Sequence, residues 1–198
     1  AERGRFVHEA LDSFMKKYPK DLPPDAEADL LKIGDEIFRE RMGVPSVRAF
    51  WWPRFERVAK WFVAFERERR KTCATLGTEV RGKLQIDMGD GTTFTLTAVA
   101  DRIDRGDDGK LAIIDYKTGS IPQPKQVTLG FSPQLTLEAL IAFTGGFDKI
   151  DAANVGSLQY WKLSGGRPGG KISMVNANIE ELVAEARTGL ADVLKAFN

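Results

Sequence analysis

The segment Leu-Ala-Ile-Ile-Asp-Tyr-Lys, residues 111–117, decides the fold of this chain. Its first four residues are apolar on both faces of a strand, which is typical of a central strand covered on both sides. Asp115 and Lys117 follow two positions apart, so the alternation of a strand places them on one face. A carboxylate and an ammonium group at the end of a buried strand are costly unless they are paired or used. The pattern therefore leaves open a strand-end ion pair or a functional site.

The preceding segment, Val-Ala-Asp-Arg-Ile-Asp at residues 99–104, makes a functional site the stronger interpretation. A short turn at residues 106–109 separates the two segments, and antiparallel pairing across it brings Asp101 near Asp115. Two adjacent carboxylates repel, so the pKa of one should rise unless a cation holds them. Oxygen ligands without thiolates favour Mg²⁺ or Mn²⁺ over zinc. Lys117 could then stabilise charge on a phosphoryl transition state or help to activate water.

Hydrophobic periodicity extends the fold outward from these two strands. Helical spacing predicts helices over about residues 7–18, 25–42, 46–71, 132–144 and 178–198. Turn signals and β-rich composition predict strands over residues 75–88, 92–105, 110–117, 155–163 and 171–175. We expect Gly43 to end the second helix, Gly89-Asp90-Gly91 to form a hairpin turn, and residues 118–125 to form a loop. The order predicts an α/β domain with a central mixed sheet of about five strands, flanked by helices.

Composition excludes several classes of protein. The 198 residues include 29 basic and 28 acidic side chains, so net charge alone does not indicate nucleic-acid binding. No run of 18 apolar residues is present, which argues against a membrane span. A single cysteine, Cys73, excludes an intrachain disulfide and is expected to be a small buried hydrophobe. The chain starts without Met and almost inside a helix, so we expect a piece of a larger protein.

Four motifs together resemble the PD-(D/E)xK nuclease superfamily and imply its restriction-endonuclease-like core. Asp101, a gap of thirteen residues and Asp115-Tyr116-Lys117 resemble the superfamily signature. The strings ADRID and IIDYKTG look like the RecB/AddB branch, as does ERGRFVHEAL at residues 2–11, which matches a Gly-x-x-x-His motif. SPQL at residues 132–135 resembles the glutamine motif of that branch. The resemblance implies a single nuclease domain over residues 1–198, with a helical part at 1–72 and a catalytic core at 73–198.

The resemblance also implies a role for each motif residue. The implied metal ligands are His8, Asp101, Asp115 and the backbone carbonyl of Tyr116. Lys117 would be the catalytic lysine, and Gln134 would act in the first turn of its helix, where free N–H groups favour phosphate. Without the motif, a lone histidine such as His8 beside an apolar stripe is more often a packed core residue.

Two features depart from the family pattern, and a third matches it loosely. Glu138 stands where the family has a tyrosine four residues after the glutamine, and we expect it to be a solvated carboxylate. Residues 136–198 contain no cysteine, so we expect no iron–sulfur cluster, although many AddB-type domains carry one. Glu79 matches loosely an acidic residue of the strand before the signature.

The function implied by the resemblance is Mg²⁺- or Mn²⁺-dependent hydrolysis of DNA. It implies an exodeoxyribonuclease acting on single strands in double-strand-break repair and recombination, with an AddA-like helicase partner in a bacterial cytoplasm. The alternatives are a degenerate nuclease fold that only binds DNA and a plain interaction module. Residues 57–71 hold six basic and two acidic side chains, which could contact DNA but are more simply a solvated helix face. Trp51, Trp52 and Trp61 could stack on bases, although core packing is the simpler interpretation.

Overall fold

The structure, a computed structural model, describes residues 2–42, 45–88 and 91–196. The helices are α1 (Glu2–Lys17), α2 (Ala26–Met42), α3 (Pro45–Arg69), α4 (Pro124–Thr128), α5 (Gln134–Phe143) and α6 (Ile179–Ala196). The strands are β1 (Cys73–Asp87), β2 (Thr93–Gly106), β3 (Leu111–Lys117), β4 (Val155–Lys162) and β5 (Lys171–Met174). They form one sheet in the order β1-β2-β3-β4-β5, parallel between β3 and β4 and antiparallel elsewhere. This confirms the predicted mixed five-stranded sheet flanked by helices.

Most local predictions match, and one does not. The turn between β2 and β3 forms as expected, with the Gly109 N–H donating to the Gly106 carbonyl at 2.9 Å. Helix α4 was predicted as loop up to residue 125, because its short polar sequence has no apolar stripe and only Val127 of it is buried. Pro53 lies inside α3. Gly43 and the Gly89-Asp90 part of the predicted hairpin turn lie outside the described residues.

Strand β3 contributes to two hydrophobic cores, one on each face of the sheet. Ala112, Ile114 and Tyr116 pack in the core that the first three helices cover. Leu111 and Ile113 pack in the core that α5 covers. The alternation of the strand therefore places Asp115 and Lys117 on the α5 side, while the Tyr116 ring anchors the strand in the opposite core.

A buried ionic network lies on the face of the sheet that α3 covers. The Arg102 guanidinium, 1% exposed, pairs with Glu66 and donates to Asp104 Oδ1 at 2.7 Å. Arg69 donates to Asp104 Oδ2 at 2.6 Å, and Arg70 donates to Glu66 Oε2 at 2.9 Å. Burial alone would raise the pKa of Asp104, but the charges of Arg102 and Arg69 lower it below its usual value. The network therefore links β2 to α3, close to the end of β3 that carries the signature residues.

This network corrects part of the interpretation of residues 57–71 as a solvated basic face: Lys60, Arg67 and Lys71 are exposed, whereas Arg69 and Arg70 are not. The side chains of Arg69 and Arg70 are only 10% and 12% exposed, because they neutralise buried carboxylates. Arg57 donates to the Gly165 carbonyl at 2.7 Å, so it also serves a structural contact. The three tryptophans Trp51, Trp52 and Trp61 are half-buried and pack against the core beneath the first three helices, as the packing interpretation predicted.

One further prediction of burial was wrong, and the last helix is buried only in part. Cys73 begins β1 at the edge of the sheet and is partly exposed rather than buried. The apolar stripe of the last helix is buried only at its start, by Leu182 and Val183, whereas Val193 is 54% exposed. Periodicity identifies the apolar face of a helix but cannot tell how far a neighbouring element extends to cover it. None of the helices within the described ranges is long and apolar enough to cross a membrane.

Candidate functional site

The two signature carboxylates lie at the point where β2 and β3 run side by side. The ladder between these strands pairs Arg102 with Ile114, so the same register places Asp101 opposite Asp115. Asp101 Oδ2 accepts a hydrogen bond from the Tyr116 backbone N–H at 2.6 Å. The antiparallel pairing deduced from the sequence therefore does bring Asp101 to the Asp115-Tyr116-Lys117 end of β3.

Asp115, Lys117 and Gln134 form a closed set of hydrogen bonds. Lys117 Nζ donates to Asp115 Oδ1 at 3.0 Å and to Gln134 Oε1 at 3.2 Å. Gln134 Nε2 donates to Asp115 Oδ1 at 2.6 Å. An ammonium group can only donate and a carboxylate can only accept, so these partners fix the orientation of the Gln134 amide. Gln134 is the first residue of α5, which places the helix N-terminus beside β3.

Glu138 extends this set inward and corrects the expectation of a solvated carboxylate. It is only 2% exposed, and its Oε1 accepts a hydrogen bond from Gln134 Nε2 at 3.1 Å. Burial, with the charge of Asp115 adding to it, raises the pKa of Glu138 to about 8 despite the hydrogen bond from Gln134. A signal was present in the sequence: α5 is apolar around most of its circumference, which indicates a buried helix and hence a buried Glu138.

His8 reaches the same place from α1. Its Nε2 donates to the Tyr116 carbonyl at 2.8 Å, and its Nδ1 lies 3.4 Å from Asp101 Oδ1. The side chain is 25% exposed, so the ring lies at the edge of the apolar core rather than within it. Burial lowers the pKa of His8, but the neighbouring Asp101 carboxylate and the Tyr116 carbonyl outweigh burial and raise it overall.

Glu79, matched only loosely from the sequence, joins His8 and Asp101. The ladder between β1 and β2 pairs Thr78 with Arg102 and Val80 with Ala100, which leaves Glu79 at the position opposite Asp101. One ligand atom from each of His8, Glu79 and Asp101 lies within 4.8 Å of the others. Glu79 has a φ of 49°, a left-handed conformation that is unusual for a residue other than glycine. Sequence reasoning had no means of detecting this distortion, because glutamate is not a residue type that favours the left-handed conformation.

The electrostatics of the site favour a bound cation. Burial raises the pKa of Asp115 and that of Glu79, and in both the charge of Asp101 raises the pKa further. Crowded carboxyl groups of this kind ionise readily only when a positive charge joins them. The groove beside them, of about 750 Å³, is open to solvent and runs along α1 to residues 118–120. It has room for an ion and for part of a substrate.

The donor atoms also fit a hard divalent cation. Asp115 Oδ2 is buried and makes only an ionic contact with Lys117 Nζ at 2.9 Å, with no hydrogen bond of its own. His8 Nε2 and the Tyr116 carbonyl, which share a hydrogen bond of 2.8 Å, lie side by side at this strand end, so a metal ion that bound both would replace the Nε2 proton. Carboxylate and carbonyl oxygens with one imidazole suit Mg²⁺ or Mn²⁺ better than a thiophilic metal.

A mixed sheet with paired carboxylates and a lysine at the end of its central strand defines a class of metal-dependent phosphodiesterase site. The chain belongs to the PD-(D/E)XK nuclease superfamily, which it matches over residues 1–198. This confirms the superfamily predicted from the motifs and the restriction-endonuclease-like class of fold. Membership indicates a nuclease that uses divalent metal ions.

Similar proteins are found in Rickettsia. An uncharacterized protein of Rickettsia bellii is 33% identical over 145 residues, which cover 73% of this chain and 17% of that protein. Uncharacterized proteins of Rickettsia typhi and Rickettsia conorii are each 31% identical, over 83% and 77% of this chain and 19% and 18% of their own lengths. The chain thus spans less than a fifth of these relatives. The crystal structure of SSO0001 covers 96% of this chain and is itself covered to 73%, at 16% identity and a TM-score of 0.37, a similarity too low to bear on function.

Proposed function

We propose that this chain is the nuclease domain of a Mg²⁺-dependent deoxyribonuclease that hydrolyses phosphodiester bonds. One observation carries the proposal: Asp101 accepts the backbone N–H of Tyr116, the residue between Asp115 and Lys117. A strand-end ion pair would need only Asp115 and Lys117. The addition of a second carboxylate and of His8 at the same strand end makes a binding site for a cation instead.

The proposed metal ligands are the residues that the sequence motifs indicate. His8, Asp101, the Asp115 Oδ2 atom and the Tyr116 carbonyl are the proposed ligands, with Glu79 as a further carboxylate within reach. When bound, a divalent ion would polarise a phosphate oxygen and lower the pKa of the attacking water. Mn²⁺ fits the same donors, so we expect either ion to support turnover.

The remaining residues act on the phosphate and on one another. The Lys117 side chain is 30% exposed, so its ammonium group can reach a substrate phosphate and stabilise the charge that develops there. Gln134 bridges Lys117 and Asp115, because its side-chain oxygen accepts from Lys117 and its side-chain nitrogen donates to Asp115. The free N–H groups and positive end of α5 begin at Gln134 and favour a phosphate in the same position.

The finer proposal is a nuclease of the RecB/AddB type that degrades single-stranded DNA beside a helicase subunit. The four motifs in this order support it, and the relatives are long enough to contain further domains. The corresponding process is the repair of double-strand breaks by recombination, in the cytoplasm of a bacterium. We expect the substrate to be DNA delivered as unpaired strands.

The test is calorimetric titration with Mg²⁺ and Mn²⁺, combined with an assay of cleavage of a labelled single-stranded oligonucleotide. We expect the wild-type chain to bind metal and Asp115→Ala to lose both metal binding and cleavage. Asp151→Ala, which removes an exposed carboxylate, is the matched control and should change neither. Equal metal affinity in wild type and Asp115→Ala would refute the proposal and leave only a strand-end ion pair.

The rival function, a nuclease fold that only binds DNA, makes a different prediction. It requires DNA binding without cleavage in either metal. The presence of Asp101, Asp115 and Lys117, with their mutual hydrogen bonds, weighs against this rival because a degenerate site has no need to keep all three.

A further inference from the structure

Residues 118–133 leave the candidate site and return to it, and we call this segment the site loop. It starts after Lys117 and ends before Gln134, and the hydrogen bond of 3.2 Å between those two side chains closes it. Every residue near either end of the loop is therefore close to the proposed position of the scissile phosphate. An extended chain spans at most about 3.6 Å per residue, so Phe131 lies within about 11 Å of Gln134.

The charge of the site loop suits a polyanion. No aspartate or glutamate occurs between Lys117 and Leu137, although 28 of the 198 residues in the chain are acidic. Lys117 and Lys125 are the charged side chains of that stretch. A strand of nucleic acid could follow the loop without repulsion from carboxylates.

Backbone contacts hold the C-terminal end of the site loop in place. The Ser132 N–H donates to the Gln126 carbonyl at 2.9 Å, which folds the end of the loop back onto α4. Val127 anchors α4 in the core, and Gly130 takes a φ of 74° that permits the sharp turn. The backbone that carries the side chains of this turn is thus held in place, which reduces the backbone entropy lost when they bind a ligand.

Two apolar side chains nevertheless project from this turn into solvent. Phe131 is 76% exposed and Leu129 is 67% exposed, the highest values of any large hydrophobic residue within the described part of the chain. These two large apolar side chains are exposed close together on a carboxylate-free turn beside the candidate site, as is typical of a surface that contacts a ligand. A ligand with a flat apolar surface suits the aromatic ring.

We propose that Phe131 is a stacking platform for an unpaired base of the nucleic-acid strand that enters the site, with Leu129 flanking it. This inference rests on the proposed function and specifies its substrate class as single-stranded nucleic acid. Bases in a duplex are stacked on one another and present no free face, so the platform selects unpaired strands.

A protein partner is the competing occupant. An apolar groove of about 580 Å³ lies between α4, α5 and α6, and Leu129 lines it together with Leu190 and Val193. Phe131 is not among its lining residues, so a protein bound there would have no need of a flat aromatic ring at position 131. The two occupants therefore differ in what they require of that side chain.

The experiment measures binding of a fluorescent single-stranded oligonucleotide, and of the blunt duplex of the same sequence, in EDTA to prevent cleavage. Base stacking measured by alanine substitution predicts that Phe131→Ala weakens single-strand affinity by about 5- to 100-fold. Phe131→Leu should weaken it similarly, because it keeps an apolar side chain but removes the π-face. Phe131→Trp should retain affinity, and the duplex affinity should be equal in all variants. Phe50→Ala, which removes a phenylalanine that is 56% exposed on α3, is the control and should have no effect.

Three outcomes would overturn the inference: unchanged single-strand affinity in Phe131→Ala, full affinity in Phe131→Leu, or an equal loss for duplex and single strand. Absence of single-strand binding by the wild-type chain would also overturn it. Cleavage in Mg²⁺ is assayed separately. Normal cleavage with no effect of Phe131 refutes the platform alone, whereas selective single-strand binding through Phe131 without cleavage refutes the nuclease activity alone.

Discussion

Gln134 and Asp115 are joined by a hydrogen bond of 2.6 Å, from the side-chain Nε2 of the glutamine to Oδ1 of the aspartate. Lys117 donates to the same oxygen at 3.0 Å. Asp115 therefore has one oxygen engaged by two donors, while Oδ2 has no hydrogen bond. Lys117 Nζ nevertheless lies 2.9 Å from Oδ2, so a metal ion bound to that oxygen would share it with the ammonium group. The hydrogen bond from Gln134 makes the orientation of the carboxylate depend on the first turn of α5.

Lys117→Ala should abolish cleavage while leaving metal binding intact. The ammonium group acts on charge that develops in the transition state, so its loss should reduce turnover by about 100-fold or more. Metal affinity should stay the same or rise, because both carboxylates remain and a neighbouring positive charge is gone. Single-turnover rates and calorimetric titration with Mg²⁺ measure the two effects.

The matched control for Lys117 is Lys110→Ala, at the opposite end of the same central segment. It should cleave at the wild-type rate. DNA affinity of Lys117→Ala should fall only modestly, as one phosphate contact among several. A Lys117→Ala variant that cleaves at the wild-type rate would mean that the lysine is merely the partner of Asp115.

His8→Ala should weaken metal binding with little change in stability. The imidazole contacts Tyr116 and Asp101 but is partly exposed, so its removal leaves no buried cavity. We expect at least about a tenfold loss of Mg²⁺ affinity, the scale seen when groups around a metal are removed. Thermal unfolding in EDTA should occur within a few degrees of wild type. A large drop in melting temperature with unchanged metal affinity would instead identify His8 as a packing residue.

Glu138→Gln should stabilise the metal-free protein at alkaline pH. The folded-state pKa of about 8 lies above the ordinary value of 4.5, so folding favours the protonated carboxyl group. The contribution of Glu138 to the stability of the wild type is therefore largest below pH 4.5 and is lost as the pH rises from 4.5 to 8. Glu138→Gln does not ionise, and by pH 8 it should exceed the wild type by on the order of 3 kcal/mol relative to their difference at pH 4.5.

Urea denaturation in EDTA at a series of pH values measures this difference for Glu138→Gln. The control is Glu56→Gln, an exposed carboxyl group on α3, for which the difference from wild type should not vary with pH. A constant difference for Glu138→Gln across the same range would show that the carboxyl group is ionised in the folded protein.

Arg102→Met should be among the most destabilising changes in the chain. It removes the cation between Glu66 and Asp104, both fully buried, and leaves two buried carboxylates with too little positive charge. Breaking a buried ion pair in this way costs about 3–5 kcal/mol. Arg39→Met breaks a pair in which the arginine is 73% exposed, and Asp35 keeps its contact with Arg48, so the change should cost less than about 1 kcal/mol. Denaturant midpoints of the two variants provide the comparison, and equal midpoints would contradict the proposed role of the network.

The sequence by itself determined the central strand, its partner and the convergence of their carboxylates. An apolar segment that ends in Asp115-Tyr116-Lys117, preceded by a short turn and Asp101, leaves little choice of register, because strand alternation and turn length are local properties. The five-stranded sheet and the nuclease superfamily follow from the same local signals.

Only the tertiary structure decided how side chains distant in sequence are used. Glu138 is buried because α5 packs against the sheet. Arg69 of α3 is paired with Asp104 of β2 and is therefore not free to bind a ligand. The left-handed conformation of Glu79 is likewise not indicated by its residue type. Local sequence patterns indicate which interactions a residue is able to make. Its burial and its charge partners depend on which other segments pack beside it, and those contacts form only when the whole chain folds.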